Sequence, residues 1–468
     1  MTTTELGLAS RLREAVGARP GEGLVLLWSS AYYFLVLCAY YVIRPIRDDI
    51  GASSGAENLA WLFTGTMAGM LLVHPLYTSL VSKLTRRRFI SWTYRFFIAN
   101  LVGFYIAFKL VDPAQSVWVG RVFFIWTSIF NLFVVSVFWS LVADVFEPGQ
   151  GKRLFGIVAV GGTIGAMLGA TITTALVGVM GPLNLMLVSA LILELAVRAS
   201  HALDSNETVM RNAEAAAAGA LGGRSKSSDA SEVIGGGVMD GIRHVLASPY
   251  LLGIAILILF YTISSTFLYF QQADIVARVF EGDPTGRTRV FGAMDIVVNV
   301  LTLFAQLFVT GRVMKWLGVG FALAFLPVVT LIGFGILGAA PVLWVLIAFQ
   351  VARRAGNFAI QRPAREALFT VVPRRDKYKA KNFTDTFVYR LGDQVGAWAY
   401  AGMAVFGLGL SGLAFTMVPL AAAWLALTVW LGRRYRSLEA ARVHDATSLS
   451  PRASERLASA DPGPSVVR

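Results

Sequence analysis

The chain has 468 residues, of which 56% are hydrophobic and 15% charged, whereas charged residues make up about 25% of a typical globular protein. This composition excludes a set of soluble domains and indicates a protein that crosses the membrane several times. The single cysteine, Cys38, excludes an intrachain disulfide and a cysteine-ligated metal cluster. Of the four histidines only His74 lies clearly inside an apolar block, so a histidine-ligated zinc or haem site has no cluster of ligands, and we expect no metal and no cofactor.

Twelve apolar blocks follow a polar N-terminus, 1–23, and each is long enough to cross about 30 Å of hydrocarbon. The first six occupy residues 24–199 and lie near 24–43, 58–80, 89–110, 116–139, 154–180 and 182–199. The Ala, Gly and Ser content of residues 200–248 is typical of a flexible cytoplasmic linker. Six further blocks occupy 249–433, near 249–270, 288–312, 318–338, 341–360, 383–405 and 411–433, and the polar tail 434–468 is expected to be disordered.

Lysine and arginine are concentrated in alternate loops, whereas the opposite loops are short and mostly neutral. The basic loop residues include Lys83, Arg86, Arg87, Arg88, Lys152, Arg153, Arg312, Lys315, Arg374, Arg375, Lys377, Lys379 and Lys381. Because basic loops stay on the cytoplasmic side, both termini are predicted to be cytoplasmic. The same loops account for the net charge of +13 without a nucleic-acid partner.

Two runs of six helices joined by a linker resemble the plan of the major facilitator superfamily, whose halves are related by an axis along the membrane normal. A weak internal repeat agrees with this plan. Block five has Lys152-Arg153 followed by Gly162, Gly165 and Ala166, and block eleven has Lys379 and Lys381 followed by Gly392, Gly396 and Ala397. The resemblance implies an all-α membrane protein that works by alternating access around a site near the midplane.

Charged residues inside apolar blocks mark candidate pathway residues, because charge is costly in hydrocarbon. At the end of block one, Arg44 and Arg47 lie one helical turn apart and could hold an anion between them. Asp48 or Asp49 could then act as a local counter-charge. The alternative is that these side chains snorkel to the interface from a helix end.

A second charged cluster lies in blocks ten and eleven. Block ten carries Arg353 and Arg354, and block eleven carries Asp385, Arg390 and Asp393. Asp393 is expected about 15 Å into the bilayer, near the midplane. Asp385 and Asp393 are eight residues apart, which places them on one helical face that could meet Arg353 in a buried network. The network could serve the substrate or a gate, or it could be an ion-pair zipper that only holds the two helices together.

Smaller signals lie in other blocks. Arg95 in block three and Arg121 in block four lie about a turn or two inside their helices, and Arg121 could point into the central cavity. Block eight carries a polar stripe of Asp295, Asn299 and Gln306. Exposure of these side chains to lipid would cost free energy, so the stripe is expected to face other helices. Block five has a face of small residues, which consists of Gly161, Gly162, Gly165 and Gly169. This face favours close packing against another helix over a phosphate-binding loop.

Three stretches resemble the ATP/ADP translocases of plastids and obligate intracellular bacteria. The first is Arg44-Pro-Ile-Arg47-Asp48, which is similar to the Arg-x-x-Lys-Asp segment that ends the first helix of that family. The other two are Phe138-Trp139 with Lys152-Arg153-Leu-Phe155, and the run from Arg365-Glu366 through Asp376-Lys377-Tyr378-Lys379-Ala380-Lys381 and Asp385 to Arg390-Leu391-Gly392. The resemblance implies a divergent bacterial member of the family, located in the inner membrane.

This chain departs from the family pattern at three positions. Arg47 replaces a lysine, residues 121–139 contain no acid where the family has a glutamate, and Asp393 replaces a lysine after Arg-Leu-Gly. These departures leave the cargo open between nucleotides and another phosphorylated or otherwise anionic solute. The other hypotheses are a proton-coupled carrier of a neutral or cationic compound, with Asp385 or Asp393 as proton carrier, and a membrane sensor that does not transport.

The sequence therefore predicts a non-enzymatic carrier of a small, anionic solute. It does not determine the oligomeric state, for which a monomer is the first expectation. The expected substrate contacts are Arg44, Arg47, Arg121, Arg353 and Arg390. The expected coupling or gating residues are Asp48, Asp295, Asp385 and Asp393, and the expected cytoplasmic rim consists of Lys152, Arg153, Lys379 and Lys381.

Overall fold

The computed structural model describes residues 22–83, 86–146, 148–220, 245–246, 248–373, 380–381 and 383–458, and these residues are almost entirely helical. The helices of the N-terminal half are α1 (Glu22–Ser53), α2 (Ala56–Lys83), α3 (Arg86–Leu110), α4 (Pro113–Val145), α5 (Pro148–Met180) and α6 (Asn184–Ala220). Those of the C-terminal half are α7 (Pro249–Val279), α8 (Pro284–Phe308), α9 (Thr310–Trp316), α10 (Gly318–Ala339), α11 (Leu343–Gly356), α12 (Arg362–Leu368), α13 (Tyr389–Val405) and α14 (Leu410–Ala458). This architecture confirms the all-α prediction.

Eight helices in the described part of the chain are long and apolar enough to cross a membrane, namely α1, α4, α5, α6, α7, α8, α10 and α14. The tenth and eleventh predicted blocks are each interrupted by a π-helical turn, at Asn357–Gln361 and at Thr384–Val388. Each π turn takes up one extra residue, so the helical face that a side chain occupies changes across it.

Two helices extend into segments that the composition predicts to be irregular. Helix α6 continues to Ala220, inside the predicted linker, and Arg86 forms ion pairs there with Asp204 and Glu207. The Ala-rich run that ends α6 has high helix propensity, which explains the extension. Helix α14 likewise continues to Ala458, inside the predicted tail. Residues 221–244 of the linker lie outside the described residues.

Helix α1 is the centre of the N-terminal half and packs most extensively against α5 and α6. The contact with α5 is close because its glycines lie directly on the backbone of α1. A Cβ atom at Gly165 would lie 2.1 Å from the carbonyl oxygen of Phe34, and one at Gly169 would lie 2.3 Å from that of Cys38. The small-residue face of block five is therefore a packing surface, as predicted.

The C-terminal half repeats this arrangement, with α13 packed against α7 and α14 against both α7 and α10. A Cβ atom at Gly392 would lie 1.7 Å from the Thr262 hydroxyl oxygen, and one at Gly396 would lie 3.1 Å from the Ile263 carbonyl oxygen. The pairing of α5 with α1 thus corresponds to the pairing of α13 with α7, which agrees with the internal repeat read from the sequence.

The two halves meet through α1, α2 and α5 on one side and α7, α8 and α13 on the other. An apolar cluster with members from both halves includes Leu59, Phe124, Phe267 and Phe270. We call this region the closed end: it is the end of the molecule at which α1 and α7 finish and α2 and α8 begin.

Candidate functional site

A cavity of about 310 Å³ lies between the two halves, and we call it the central cavity. Its lining from the N-terminal half is Tyr40, Arg47, Phe63, Thr66, Met67, Met70, Ser128 and Asn131, and from the C-terminal half Tyr389, Arg390, Asp393 and Gln394. The wall combines two arginines, one carboxylate, several aromatic rings and neutral hydrogen-bonding groups. Such a wall can bind a small polar ligand that carries charge and a flat apolar part.

Arg47 is placed where α1 reaches both the cavity and the other half. Its guanidinium donates to Asp48 Oδ1 at 2.9 Å and to the Tyr269 hydroxyl at 3.3 Å, and it lies 3.9 Å from the ring centre of Phe124. The Tyr269 hydroxyl in turn donates to Asp48 Oδ1 at 2.9 Å. Arg47 Nε is buried without a hydrogen-bond partner. The side chain therefore retains donor capacity at the cavity wall.

Arg44 lies one turn earlier and faces a different partner from Arg47. Its guanidinium is 3.1 Å from Asp295 Oδ1 on α8 and 3.8 Å from Asp48 Oδ2. The same Asp295 oxygen is 2.7 Å from Arg354 of α11. Asp295 is buried, with 1% of its surface exposed, so one carboxylate neutralises arginines from both halves. Arg44 is thus a bridge between the halves and does not line the central cavity.

Further polar contacts join the halves at the closed end. Asp49 accepts a hydrogen bond from Arg287 Nε of α8. Thr64 of α2 donates to Gln394 Oε1 at 2.9 Å and accepts from Trp398 Nε1 at 3.0 Å, both on α13. These bonds join α1 to α8 and α2 to α13 across the two halves.

Arg390 and Asp393 form a pair on α13 inside the central cavity. Arg390 Nη1 donates to Asp393 Oδ2 at 3.3 Å, and the Thr266 hydroxyl donates to Asp393 Oδ1 at 3.3 Å. The Arg390 side chain keeps 37% of its surface exposed. Its guanidinium is therefore accessible to a ligand in the cavity.

Arg353 differs from the sequence expectation. It is buried with 1% of its surface exposed, and it donates to the Tyr261 carbonyl oxygen and the Ser264 hydroxyl, each at 3.0 Å. Its described contacts include no carboxylate, and it does not line the central cavity. The expected network of Arg353 with the aspartates of α13 is absent, because Arg353 projects toward α7 whereas its neighbour Arg354 projects toward α8.

Asp385 is also separate from the Arg390 pair. It lies within the π turn Thr384–Val388 and is 3.7 Å from Arg365. The π turn breaks the regular spacing that would have put Asp385 and Asp393 on one face. Of the four predicted rim lysines and arginines, Lys381 pairs with Glu366 at 2.6 Å. Lys379 and the side chains of Lys152 and Arg153 lie outside the described residues.

Arg121 lies in a separate concavity and not in the central cavity. This second cavity, of about 360 Å³, is lined by α2 and α4 residues only. Arg121 Nη2 donates to Asn58 Oδ1 at 2.9 Å, and the guanidinium lies 4.5 Å from the ring centre of Trp118. The expectation that Arg121 faces the midplane site is therefore wrong. The polar stripe on α8 is buried at Asp295 and Asn299, whereas Gln306 is exposed and donates to the Phe358 carbonyl oxygen.

The sequence did not identify Tyr269 and Arg287 as site residues. A tyrosine near the end of an apolar block is indistinguishable from an interfacial aromatic residue. Arg287 follows the Asp283-Pro284 helix start and reads as an ordinary residue of a first helical turn. No pattern in the sequence signals their contacts with Asp48 and Asp49, because those contacts join residues far apart in the chain.

Comparison with protein families and with individual proteins gives consistent results. The family model described as Major Facilitator Superfamily matches residues 25–374. The ADP,ATP carrier protein 2 of Chlamydia pneumoniae is 21% identical, over 93% of this chain and 91% of that protein. These matches confirm the resemblance to the major facilitator superfamily and to the ATP/ADP translocases that the sequence motifs indicated.

Solved structures with a similar fold are also transporters. The inward-open xylose transporter XylE from E. coli has a TM-score of 0.56 at 13% identity, and the match covers 87% of this chain and 95% of the XylE chain. The nucleoside transporter NupG has a TM-score of 0.53 at 11% identity, and the match covers 88% of this chain and 98% of the NupG chain. At these identities the likeness shows the fold.

Proposed function

The chain belongs to the major facilitator superfamily as a secondary transporter, and we propose that it carries a small anionic solute by alternating access. The observation that carries this proposal is the central cavity, whose wall contains Arg47 from one half and Arg390 from the other. Alternating access in this fold moves the halves around a site that both of them build. A ligand held between Arg47 and Arg390 would contact both halves and so respond to their movement.

The charge balance around the cavity favours an anion. The connected group of Arg44, Arg47, Asp48, Asp295 and Arg354 contains three arginines and two aspartates. The Arg390–Asp393 pair adds no net charge. An anion would compensate the excess positive charge, and the attraction is stronger in a low-dielectric cavity than in water.

Within the anions, we propose a nucleotide as the first candidate. Tyr40, Phe63 and Tyr389 supply aromatic surfaces beside the two arginines, which suits a ligand with a flat ring and a phosphate. The Chlamydia relative is named an ADP,ATP carrier. A phosphorylated metabolite without a base would use the arginines but not the rings, so the two classes differ in which lining residues they need.

The contacts of the closed end are the proposed gate. Opening on that side must break the Asp48–Tyr269, Asp49–Arg287 and Arg44–Asp295 contacts, since each joins the two halves. Asp48, Asp295 and Tyr269 are the proposed gating residues, and Asp393 is the proposed coupling partner of Arg390. The pairing of Arg47 with Asp48 would link the ligand in the cavity to the state of the gate.

We further propose twelve spans in a bacterial inner membrane, with both termini cytoplasmic. The eight apolar helices account for eight spans, and α2, α3 and the helices with π turns at Asn357–Gln361 and Thr384–Val388 would supply four. With this orientation the closed end faces the outside and the cavity is reached from the cytoplasm. The basic loops at the other end of the molecule support that orientation.

The test is ligand-induced thermal stabilisation of the detergent-purified protein, followed by exchange in liposomes. ATP, ADP, sugar phosphates, inorganic phosphate, amino acids and cationic compounds are compared at the same concentration. A ligand that binds only the folded state at about 100 times its Kd stabilises it by about 2.7 kcal/mol, which raises Tm. We expect the shift with nucleotides and its loss in Arg47→Ala and Arg390→Ala.

The matched control is Arg95→Ala, which removes an exposed arginine on α3 that pairs with Glu194. This variant should keep the full ligand-induced shift. Retention of transport of every tested anion by both Arg47→Ala and Arg390→Ala would disprove the anion proposal. A shift with sugar phosphates alone would retain the anion proposal and exclude the nucleotide.

A second candidate is a proton-coupled carrier of a neutral or cationic compound, and the position of Asp393 favours it. Asp393 lines the central cavity, where its carboxylate accepts hydrogen bonds from Thr266 and Arg390. In this function the same carboxylate takes up and releases the coupled proton. This function predicts that Asp393→Asn abolishes uptake and that a protonophore collapses it. Nucleotide exchange, in contrast, should survive the protonophore.

A further inference from the structure

The N-terminal half carries a second cavity, which shares no lining residue with the central cavity. Its walls are residues of α2 and α4, and five of its seven lining residues are apolar or aromatic. Trp61, Trp118 and Val122 are exposed by 59%, 65% and 55%. Both walls belong to the same half, and the Trp61 ring also packs against Trp398 of α13, with 4.9 Å between the ring centres.

Arg121 is the cationic residue of this cavity, and its described contacts include no carboxylate. The guanidinium is held by Asn58 Oδ1 at 2.9 Å and by the face of Trp118 at 4.5 Å. Its Nε is buried without a hydrogen-bond partner. A cation in an apolar environment is costly unless an anion compensates it, so the site lacks a negative charge.

The depth of Arg121 identifies where that charge would come from. Helix α4 has 33 residues, or about 50 Å of length, so that a helix centred in the bilayer extends about 10 Å beyond 30 Å of hydrocarbon at each end. Arg121 is eight residues after Pro113, about 12 Å along the helix, which places it at the hydrocarbon boundary. Lipid phosphates lie beside this boundary, and tryptophans are enriched at the same level.

We propose that this cavity is a binding site for an anionic phospholipid. The phosphate accepts hydrogen bonds from Arg121, and an acyl chain lies along Trp61, Val122 and Ile125. The apolar residues beside Arg121 favour an amphiphile over a soluble anion, because one molecule can then contact the guanidinium and the apolar wall together. Charge complementarity selects a headgroup with net negative charge over a zwitterionic one.

The test uses the full-length, delipidated protein and native mass spectrometry with phosphatidylglycerol and phosphatidylcholine of the same acyl chains. Wild type should bind the first phosphatidylglycerol more tightly than phosphatidylcholine. Arg121→Gln, which can still hydrogen-bond Asn58, should weaken phosphatidylglycerol binding about fivefold, as expected for one basic residue near an anionic surface. Arg121→Lys should retain most of the affinity, and Trp118→Ala should weaken binding of both lipids.

Arg95→Ala is the matched control, because Arg95 is an exposed arginine with a carboxylate partner, Glu194. It should leave the affinity for phosphatidylglycerol unchanged. The proposal is overturned if Arg121→Gln binds as wild type does, or if Arg95→Ala loses as much affinity. Displacement of the lipid by inorganic phosphate at the same concentration would also overturn it, since the site would then be one for a free anion.

Discussion

Two helix contacts of this protein depend on different kinds of interaction, close backbone packing in one and polar side-chain contacts in the other. The contact between α1 and α5 lies inside one half and brings glycines onto backbone, with Gly165 against Phe34. The contact between the halves at the closed end uses ion pairs and hydrogen bonds such as Arg44–Asp295 and Asp48–Tyr269. Backbone packing has no alternative partner, whereas polar groups can exchange partners for water or ligand. The first contact therefore suits a permanent interface and the second suits one that opens.

The largest expected effect comes from Gly165→Leu. A Cβ atom at this position would lie 2.1 Å from the Phe34 carbonyl oxygen, and backbone cannot move aside as a side chain can. The substitution must separate α1 from α5, at a cost of about 3 kcal/mol or more. We expect loss of folded protein in fluorescence-detected size-exclusion chromatography. Gly103→Leu is the control, because a Cβ atom there has no neighbour within 4 Å. Equal yields of the two variants would contradict a fixed interface.

Next in size is Asp295→Asn, which removes the carboxylate shared by Arg44 and Arg354. Removal of one partner from a buried ion pair costs about 3 kcal/mol, because the other charges remain buried. Thermal unfolding should show this loss. Asp204→Asn should cost less, since Arg86 keeps Glu207 and the site is half-exposed.

The same variant should also open the closed end. In a Cys38→Ser background, Thr66→Cys places a thiol in the wall of the central cavity. Asp295→Asn should raise the rate at which an impermeant maleimide, added from the closed side, labels this thiol. An unchanged labelling rate would show that the ion pairs do not hold the gate.

A smaller effect is expected for Tyr269→Phe. The variant keeps the ring but removes the hydroxyl by which α7 of one half binds Arg47 and Asp48 of the other half. One hydrogen bond with a charged partner is worth about 1.5 kcal/mol, so the ratio of closed to open protein should fall about tenfold. Labelling of Thr66→Cys should rise, while Tm should fall little. Tyr261→Phe is the control, because Tyr261 contributes its carbonyl oxygen and ring to Arg353.

How far the sequence predicts this structure depends on whether a signal is local. The glycine face of α5 and the Arg390–Asp393 pair follow from spacing along one helix. The expected anion clamp of Arg44 and Arg47 is not formed, because Arg44 pairs with Asp295 of the other half and only Arg47 lines the central cavity. Arg353 and Arg354 show the limit. Consecutive helical residues point about 100° apart, and no pattern says which of them meets an aspartate. Asp385 shows a second limit, since the π turn that contains it shifts the helical register.

The smallest expected effect, Arg353→Met, distinguishes the two neighbouring arginines. Arg353 is buried with two neutral acceptors and no described carboxylate, so its removal loses two hydrogen bonds but relieves a buried charge. These two effects oppose each other, so the free energy of unfolding should change by no more than about 1 kcal/mol. Arg354→Met leaves Asp295 with Arg44 alone and should cost more in the same unfolding experiment. If Arg353→Met proves the more costly, the polar contacts of α7 and not the ion pairs of α8 anchor this part of the C-terminal half.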